Sequence, residues 1–389
     1  MAPGCFGARR STRAPGWAAV TAGCTADMKR LGEIFLHCAC IAYRPFRRRN
    51  PVAPPRTFVV VSNTALGDTL LSTPVIASLR ASFPAAHIFF VLHPRYASLF
   101  LGLDGIDGLL AYDGSYAGLP QAISRLRKIA PDVVLLAHSN GPQDIPLAWL
   151  AGAPLILKPA TRSPFRAYLS AQMPPLTGHV IEERLNLVRF VGGTQITTRM
   201  QLPVRYSGDL PADVERLPQP TIGFQLGAAN HYKQWPVGKF AALAKELLSA
   251  NPEMNIVLTG SAGERALANE LLRLCPDPRI LDHTGKWKVD QLPWLLRQFT
   301  LLVTNDTGPM HLAIALGVPT VSLFGMTSAS AIGPFQDLDR HIVIEKGVDR
   351  QAHLPKKRRS NQGMALIGVD EVFAAVNQQL SRHASASHH

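Results

Sequence analysis

Asn305-Asp306-Thr307-Gly308-Pro309-Met310-His311 is where a strand, a turn suited to an anion and a capped helix meet. Leu301-Leu302-Val303-Thr304 just before it is a short apolar run ending in β-branched residues, which reads as a buried strand. Asp306 or Thr307 can cap the following helix, and Pro309 suits its first turn. Gly317 stands where that helix ends, with Pro319 just beyond. Residues 320–325 (TVSLFG) give the next strand. In such a unit the helix N-terminus offers unpaired N–H groups and a positive dipole end, which suit a phosphate. Open α/β sheets bind their ligands at the carboxyl ends of strands, where this turn lies.

Working outward, the same alternation fills most of the chain. A second half starts at Thr221, with strands expected over residues 221–226, 256–259, 301–304, 320–324 and 341–344. In the first half, residues 58–61 read as a strand, the loop after it reaches Asp68, and residues 69–82 have helical periodicity ending before Pro84. Further strands are expected at 88–92 and 132–137, with weaker candidates near Leu109 and Leu155. Residues 201–220 are proline-rich and irregular, as in an interdomain linker. Two doubly wound α/β halves follow: one over residues 56–205, a linker at 206–220, and the other over 221–345. Residues 346–389 hold a basic segment, a final amphipathic helix over 369–381 and a disordered tail.

The first 55 residues stand apart. Residues 1–27, rich in Ala, Gly, Arg and Thr, read as a disordered leader, and Met28 is an alternative start to Met1. Residues 31–43 (LGEIFLHCACIAY) are apolar and run into Arg44-Pro45-Phe46-Arg47-Arg48-Arg49. Such a stretch is either an interfacial helix with a basic flank on an anionic membrane or a helix packed on the domain surface. No apolar run approaches the roughly 20 residues that span a bilayer. Four of the five cysteines precede residue 50, in no disulfide or zinc-ligand spacing, which points to a reducing cytosol.

The 389 residues carry 40 basic and 27 acidic side chains, a net charge of +13. That excess favours an anionic partner: nucleic acid, a membrane face or a phosphorylated substrate. Aromatics are only 7% and no zinc-finger spacing accompanies the basic clusters, so nucleic acid is not expected. Neither half contains G-x-G-x-x-G or a Walker loop, which argues against dehydrogenases and NTPases.

The candidate residues sit in the turns after strands. Gly67-Asp68 closes the first strand-to-helix turn; an aspartate there is a helix cap or a catalytic carboxylate. Lys233, in GAANHYKQWP (227–236), can meet a diphosphate as a point charge or lie on the surface. Glu264 ends TGSAGE (259–264), where a carboxylate suits a ribose hydroxyl or caps a helix. His311 shares the helical first turn with the phosphate-suited residues. Asp337-Leu338-Asp339 matches a D-x-D metal pattern but reads as a surface loop, since no other ligands converge on it.

Together LGDTLLSTPVIASLRASFP (66–84), GAANHYKQWP, TGSAGE and TNDTGPMHLAIALGVPTVSLFG (304–325) resemble glycosyltransferase family 9, the heptosyltransferases of lipopolysaccharide core synthesis. The resemblance runs over about residues 58–335. It implies a GT-B fold of two facing Rossmann-like domains, with the acceptor in the N-terminal one and the donor in the C-terminal one. It implies an inverting, metal-independent transfer of heptose from ADP-heptose to a lipopolysaccharide core acceptor, with no cofactor. The chain is read as a cytoplasmic enzyme peripheral on the inner membrane. By matching positions, Asp68 corresponds to the base, Lys233 to a phosphate ligand and Glu264 to a ribose ligand. Asp306, Thr307, Gly308 and His311 correspond to the donor-phosphate turn. The chain departs from the pattern at Ser62, where a basic residue is usual, and at Ala229, where a hydroxyl is common. It departs again at Met326, and at Gly363-Met364 in place of cysteines. These positions bear on the donor sugar and acceptor rather than on the fold. Two rivals remain: a nucleotide-sugar epimerase of the same architecture, which needs no acceptor, and a non-enzymatic membrane or nucleic-acid binder on the same scaffold.

Overall fold

The computed structural model describes residues 17–46, 54–174, 178–325, 327–347, 354–355 and 358–386. The N-terminal sheet holds β1 (Thr57–Ser62), β2 (His87–Leu92), β3 (Gly108–Ala111), β4 (Val133–His138), β5 (Leu155–Lys158) and β6 (Ala171–Gln172). The C-terminal sheet holds β7 (Thr221–Gln225), β8 (Asn255–Thr259), β9 (Ile280–Asp282), β10 (Leu301–Asn305), β11 (Thr320–Phe324) and β12 (His341–Glu345). The helices are α1 (Trp17–Tyr43), α2 (Leu66–Leu70), α3 (Thr73–Ser82), α4 (Leu119–Ile129), α5 (Asp144–Leu150), α6 (Val180–Phe190) and α7 (Val237–Ala250). They continue with α8 (Arg265–Leu274), α9 (Leu292–Leu296), α10 (Gly308–Ala315), α11 (Ala329–Ile332), α12 (Gln362–Ala365) and α13 (Val369–Ala386).

Every strand pairs in parallel, in the orders β3-β2-β1-β4-β5-β6 and β12-β11-β10-β7-β8-β9. Counted from its own first strand, each sheet has the doubly wound order of dinucleotide-binding folds. Apolar runs without alternation produce this arrangement, because a parallel strand is covered on both faces. In β1, Phe58 and Val60 enter one core while Val59 and Val61 enter another on the opposite face. The two sheets share one of these cores: Phe58, Leu66 and Leu70 belong to the same buried cluster as Leu302, Met310 and Phe324.

Polar contacts also clasp the halves. Arg199 donates to both carboxylate oxygens of Asp337 at 2.8 Å. The Met200 N–H donates to Gln336 at 2.8 Å, and the His179 ring stacks on Phe335 at 4.3 Å. Asp337 of the D-x-D pattern is thus held by a guanidinium. Among the described residues no group of three or more His, Cys, Asp or Glu is placed to hold a metal ion.

Several elements differ from the sequence reading. The helix expected over 69–82 is two, α2 and α3, because Pro74 cannot continue the ladder; the Leu70 carbonyl accepts from the Thr73 hydroxyl at 2.7 Å instead. Helix α1 begins at Trp17, inside the stretch expected to be disordered, since no proline interrupts its alanine-rich run after Pro15. Residues 1–16, Arg47–Arg49, Met326, Lys356-Lys357 and the last three residues of the tail lie outside the described residues. The irregular linker is packed: Tyr206 is buried and its hydroxyl donates to the Asp290 carbonyl at 2.9 Å.

Residues 31–43 lie in α1, which packs one face on the N-terminal domain and leaves an apolar face exposed. Its inner face is packed: Leu36 and Cys40 are buried, Trp149 donates to the Cys40 carbonyl at 3.1 Å, and His37 stacks on Phe165. Its outer face leaves Leu31, Ile34, Phe35 and Ile41 exposed, with Phe46 in the following turn. Among the described residues no helix is long and apolar enough to cross a membrane.

Candidate active site between the two switch points

Strand order reverses between β1 and β4 in one sheet and between β7 and β10 in the other, so a crevice opens at the carboxyl ends of these four strands. Asp68, Lys233 and the Asp306–His311 segment follow these strand ends, and His138 is the last residue of β4. The two halves meet here. Gly308 at the start of α10 approaches the Leu66 side chain, and the His311 ring packs on Gly67, where a Cβ would lie 2.6 Å from it. Gly67 is therefore required by close approach of the opposite domain.

Asp68 does not cap α2. The N-cap is Ala65, and Asp68 is the third residue of the helix with its carboxylate turned to the crevice. Three donors pin its backbone carbonyl: Arg184 Nη1 at 2.6 Å, Ser72 Oγ at 2.9 Å and Ser62 Oγ at 3.2 Å. Ser62 is thus part of this clamp. Arg184 Nη2 donates to Asp68 Oδ1 at 3.1 Å, His138 Nε2 lies 3.4 Å from the same oxygen, and Thr64 Oγ1 bridges Asp68 Oδ2 and His138 Nδ1. Burial would raise the Asp68 carboxyl, but His138 and Arg184 outweigh it and hold it below the usual carboxylate range. Burial and the Arg184 charge push His138 down to about 4, so its ring is neutral near pH 7.

On the facing side, Asn305 is buried and joins three segments. Its amide donates to the Gln225 and Leu226 carbonyls, and its Oδ1 accepts from the Trp235 N–H at 2.9 Å. This fixes the Lys233 turn against the end of β10. Lys233 Nζ pairs with Asp306 Oδ2 at 2.5 Å, and the Thr327 hydroxyl donates to the same oxygen at 2.6 Å. Arg359 lies over the Tyr232 ring, beside this turn.

Thr307 is the N-cap of α10 with no side-chain cap bond, and Pro309 sits in the first turn. At the other end Gly317 takes φ 72°, with bonds Gly317 N–H to Ile314 and Val318 N–H to Ala313 closing the helix. Burial pushes His311 down to about 4 against the pull of Asp306 and Asp68, and its buried Nδ1 has no hydrogen-bond partner. A buried ring nitrogen without a partner costs free energy.

Glu264 serves as a helix cap in this structure: Oε2 accepts from the Ser261 N–H at 2.6 Å and its hydroxyl at 2.9 Å in a capping box. The carboxylate also overlies Gly227 at the end of β7 closely enough to leave no room for a side chain there. So the residues singled out by sequence gather at one crevice, Asp68 from one domain and the rest from the other. Arg184, His138 and Asn305 were not singled out. Arg184 did carry a signal: with Ile181, Leu185 and Val188 it occupies the buried i, i+3, i+4, i+7 stripe of α6, where a charge needs a partner.

Two Rossmann-like domains facing each other across such a crevice define the GT-B class of glycosyltransferases. The family model for "Glycosyltransferase family 9 (heptosyltransferase)" matches residues 166–360, half of the chain, and the chain belongs to that family. Lipopolysaccharide heptosyltransferase 3 of Escherichia coli K12 is 22% identical over 343 residues, covering 82% of this chain and 97% of that protein. Lipopolysaccharide heptosyltransferase 2 of the same strain is 34% identical over 166 residues, covering 42% of this chain and 47% of that protein. Among solved structures, a family 9 glycosyltransferase of Veillonella parvula matches with TM-score 0.68 at 23% identity, over 84% of this chain and 97% of that one. The E. coli ADP-heptose lipopolysaccharide heptosyltransferase II matches with TM-score 0.68 at 21% identity, over 84% and 99%. These structural likenesses establish the fold.

Proposed function

We propose that this glycosyltransferase moves a heptose from ADP-heptose to the inner core of lipopolysaccharide with inversion, using Asp68 as the base. The observation that carries the proposal is the meeting of Asp68 with the Asp306–His311 turn across the domain boundary, supported by the names of the relatives. The acceptor hydroxyl oxygen bonds to the anomeric carbon on the face opposite the diphosphate, the bond from that carbon to the diphosphate breaks, and the hydroxyl proton passes to Asp68. Lys233 and the first amides of α10 stabilise the charge on the departing ADP, and Glu264 meets the ribose. Asp68 is a weak base, because Arg184 and His138 favour its ionised form. That suffices for an oxocarbenium-like transition state, in which the attacking hydroxyl becomes strongly acidic only as its bond forms. The enzyme works on the cytoplasmic face of the inner membrane, beside its lipid acceptor; the exposed row on α1 and the arginines that follow it in sequence support this reading.

The test is ADP release measured with donor alone and with donor plus a core acceptor, each with and without EDTA. Release is expected only when acceptor is present, and chelation is expected to leave the rate unchanged. Conversion of the donor sugar without acceptor and without ADP release, read by NMR of the donor, would favour an epimerase; loss of turnover restored by Mg²⁺ or Mn²⁺ would remove Lys233 and the helix terminus as the source of charge stabilisation.

Arg184 supplies a second test through pH. A base must be ionised, so kcat/KM falls as pH drops through the carboxyl pKa of folded Asp68. Arg184 lowers that pKa, so Arg184→Met raises it, and the acid limb moves to higher pH. Arg184→Lys keeps the charge and is expected to fall between the two. A variant that loses stability while its acid limb stays in place would make Arg184 a scaffold for α2 alone.

A further inference from the structure

Between α1 and α4 lies a cavity of about 620 Å³, within the roughly 300–1,000 Å³ of small-molecule sites. Phe35, Ala39, Tyr43, Leu119, Ile123 and Leu150 line it, so its wall is hydrocarbon and aromatic ring. Arg127 closes one end, its guanidinium 4.7 Å over the Tyr43 ring and its Nε donating to the Leu150 carbonyl at 2.9 Å. Exposed Arg44 follows Tyr43 directly, and Arg47-Arg48-Arg49 continue the run in sequence.

The cavity is continuous with the exposed face of α1. Phe35 and Phe46 line it and are also 71% and 78% exposed, and Leu31, Ile34 and Ile41 extend the same apolar row at helical spacing. A ligand for this place has a hydrocarbon body and a negative end that rests on arginine. We propose that the cavity takes one acyl chain of an anionic bilayer phospholipid, with the phosphate at Arg44 and Arg127.

This rests on the membrane-surface reading above and adds to it: the row on α1 lies in the interface, and the cavity grips one lipid out of it. Charge selects this occupant over a second copy of the chain. Each copy carries +13 and an arginine rim, so two copies repel where an anionic lipid attracts.

The test uses the full chain with vesicles of equal phosphatidylglycerol and phosphatidylcholine, doped with a phospholipid that carries a diazirine near the end of one acyl chain. After irradiation and digestion, mass spectrometry locates the label and flotation measures bound protein. Label is expected on α4 and α5 residues facing the cavity, such as Ile123 and Leu150. Ala39→Phe and Ala42→Phe, which fill the cavity from two positions, are each expected to reduce that label at least ten-fold while flotation stays within about two-fold. Normal flotation with label confined to the outer face of α1, or label at Ile123 unchanged in both filled variants, would overturn the acyl site and leave the membrane reading standing. Absence of flotation at low salt would remove both.

Discussion

Asp68→Asn is expected to keep the fold and lose turnover by on the order of 10²–10⁴-fold, the usual worth of a positioned base. The fold survives because most of what Asp68 holds in place is held through its backbone. Arg184, Ser72 and Ser62 all donate to the carbonyl oxygen, which the substitution leaves intact. The asparagine oxygen can still accept from Arg184 Nη2. It cannot take a proton from the acceptor. Donor affinity is expected to change little, because Lys233, Glu264 and the α10 terminus belong to the other domain. Steady-state kinetics with a thermal melt checks this: a folded variant with wild-type turnover removes Asp68 from the mechanism.

Lys233→Ala is expected to weaken donor binding and turnover together. Loss of one charge-assisted hydrogen bond costs about 1.5–3 kcal/mol, or roughly 10–150-fold in kcat/KM. The structure argues for the upper end. Lys233 is the ammonium partner of Asp306, a carboxylate only 6% exposed, whose other donor is the Thr327 hydroxyl. Without the lysine, that carboxylate faces an incoming diphosphate with its charge uncompensated. Thermal stability is expected to drop as well. Wild-type kinetics in this variant would make the lysine a structural partner of Asp306 and nothing more.

Much of the fold was legible because parallel strands buried on both faces read as short, mostly apolar runs without alternation, as at residues 133–137, 301–304 and 320–324. Short edge strands were not, since two residues at Ala171–Gln172 and three at Ile280–Asp282 carry no period. The site was legible where chemistry follows a strand directly, as at Asp68 and Asp306. It was hidden where the partner comes from far along the chain. Arg184 reaches Asp68 across 116 residues, and Asn305 reaches the Trp235 N–H across 70; no local pattern records either contact. Glu264 shows a third case, in which one carboxylate caps a helix and overlies the end of β7, so local spacing supports both readings at once.

The central claim is a single displacement at a crevice shared by the two domains, with Asp68 removing the acceptor proton. The anomeric configuration of the first product tests it most directly, read by NMR after transfer from an ADP-heptose of known configuration to a soluble core acceptor. Inversion is predicted, in the wild type and in the residual product of Asp68→Asn alike. Retention of configuration would mean two displacements or a same-face path, and would contradict the role given to Asp68.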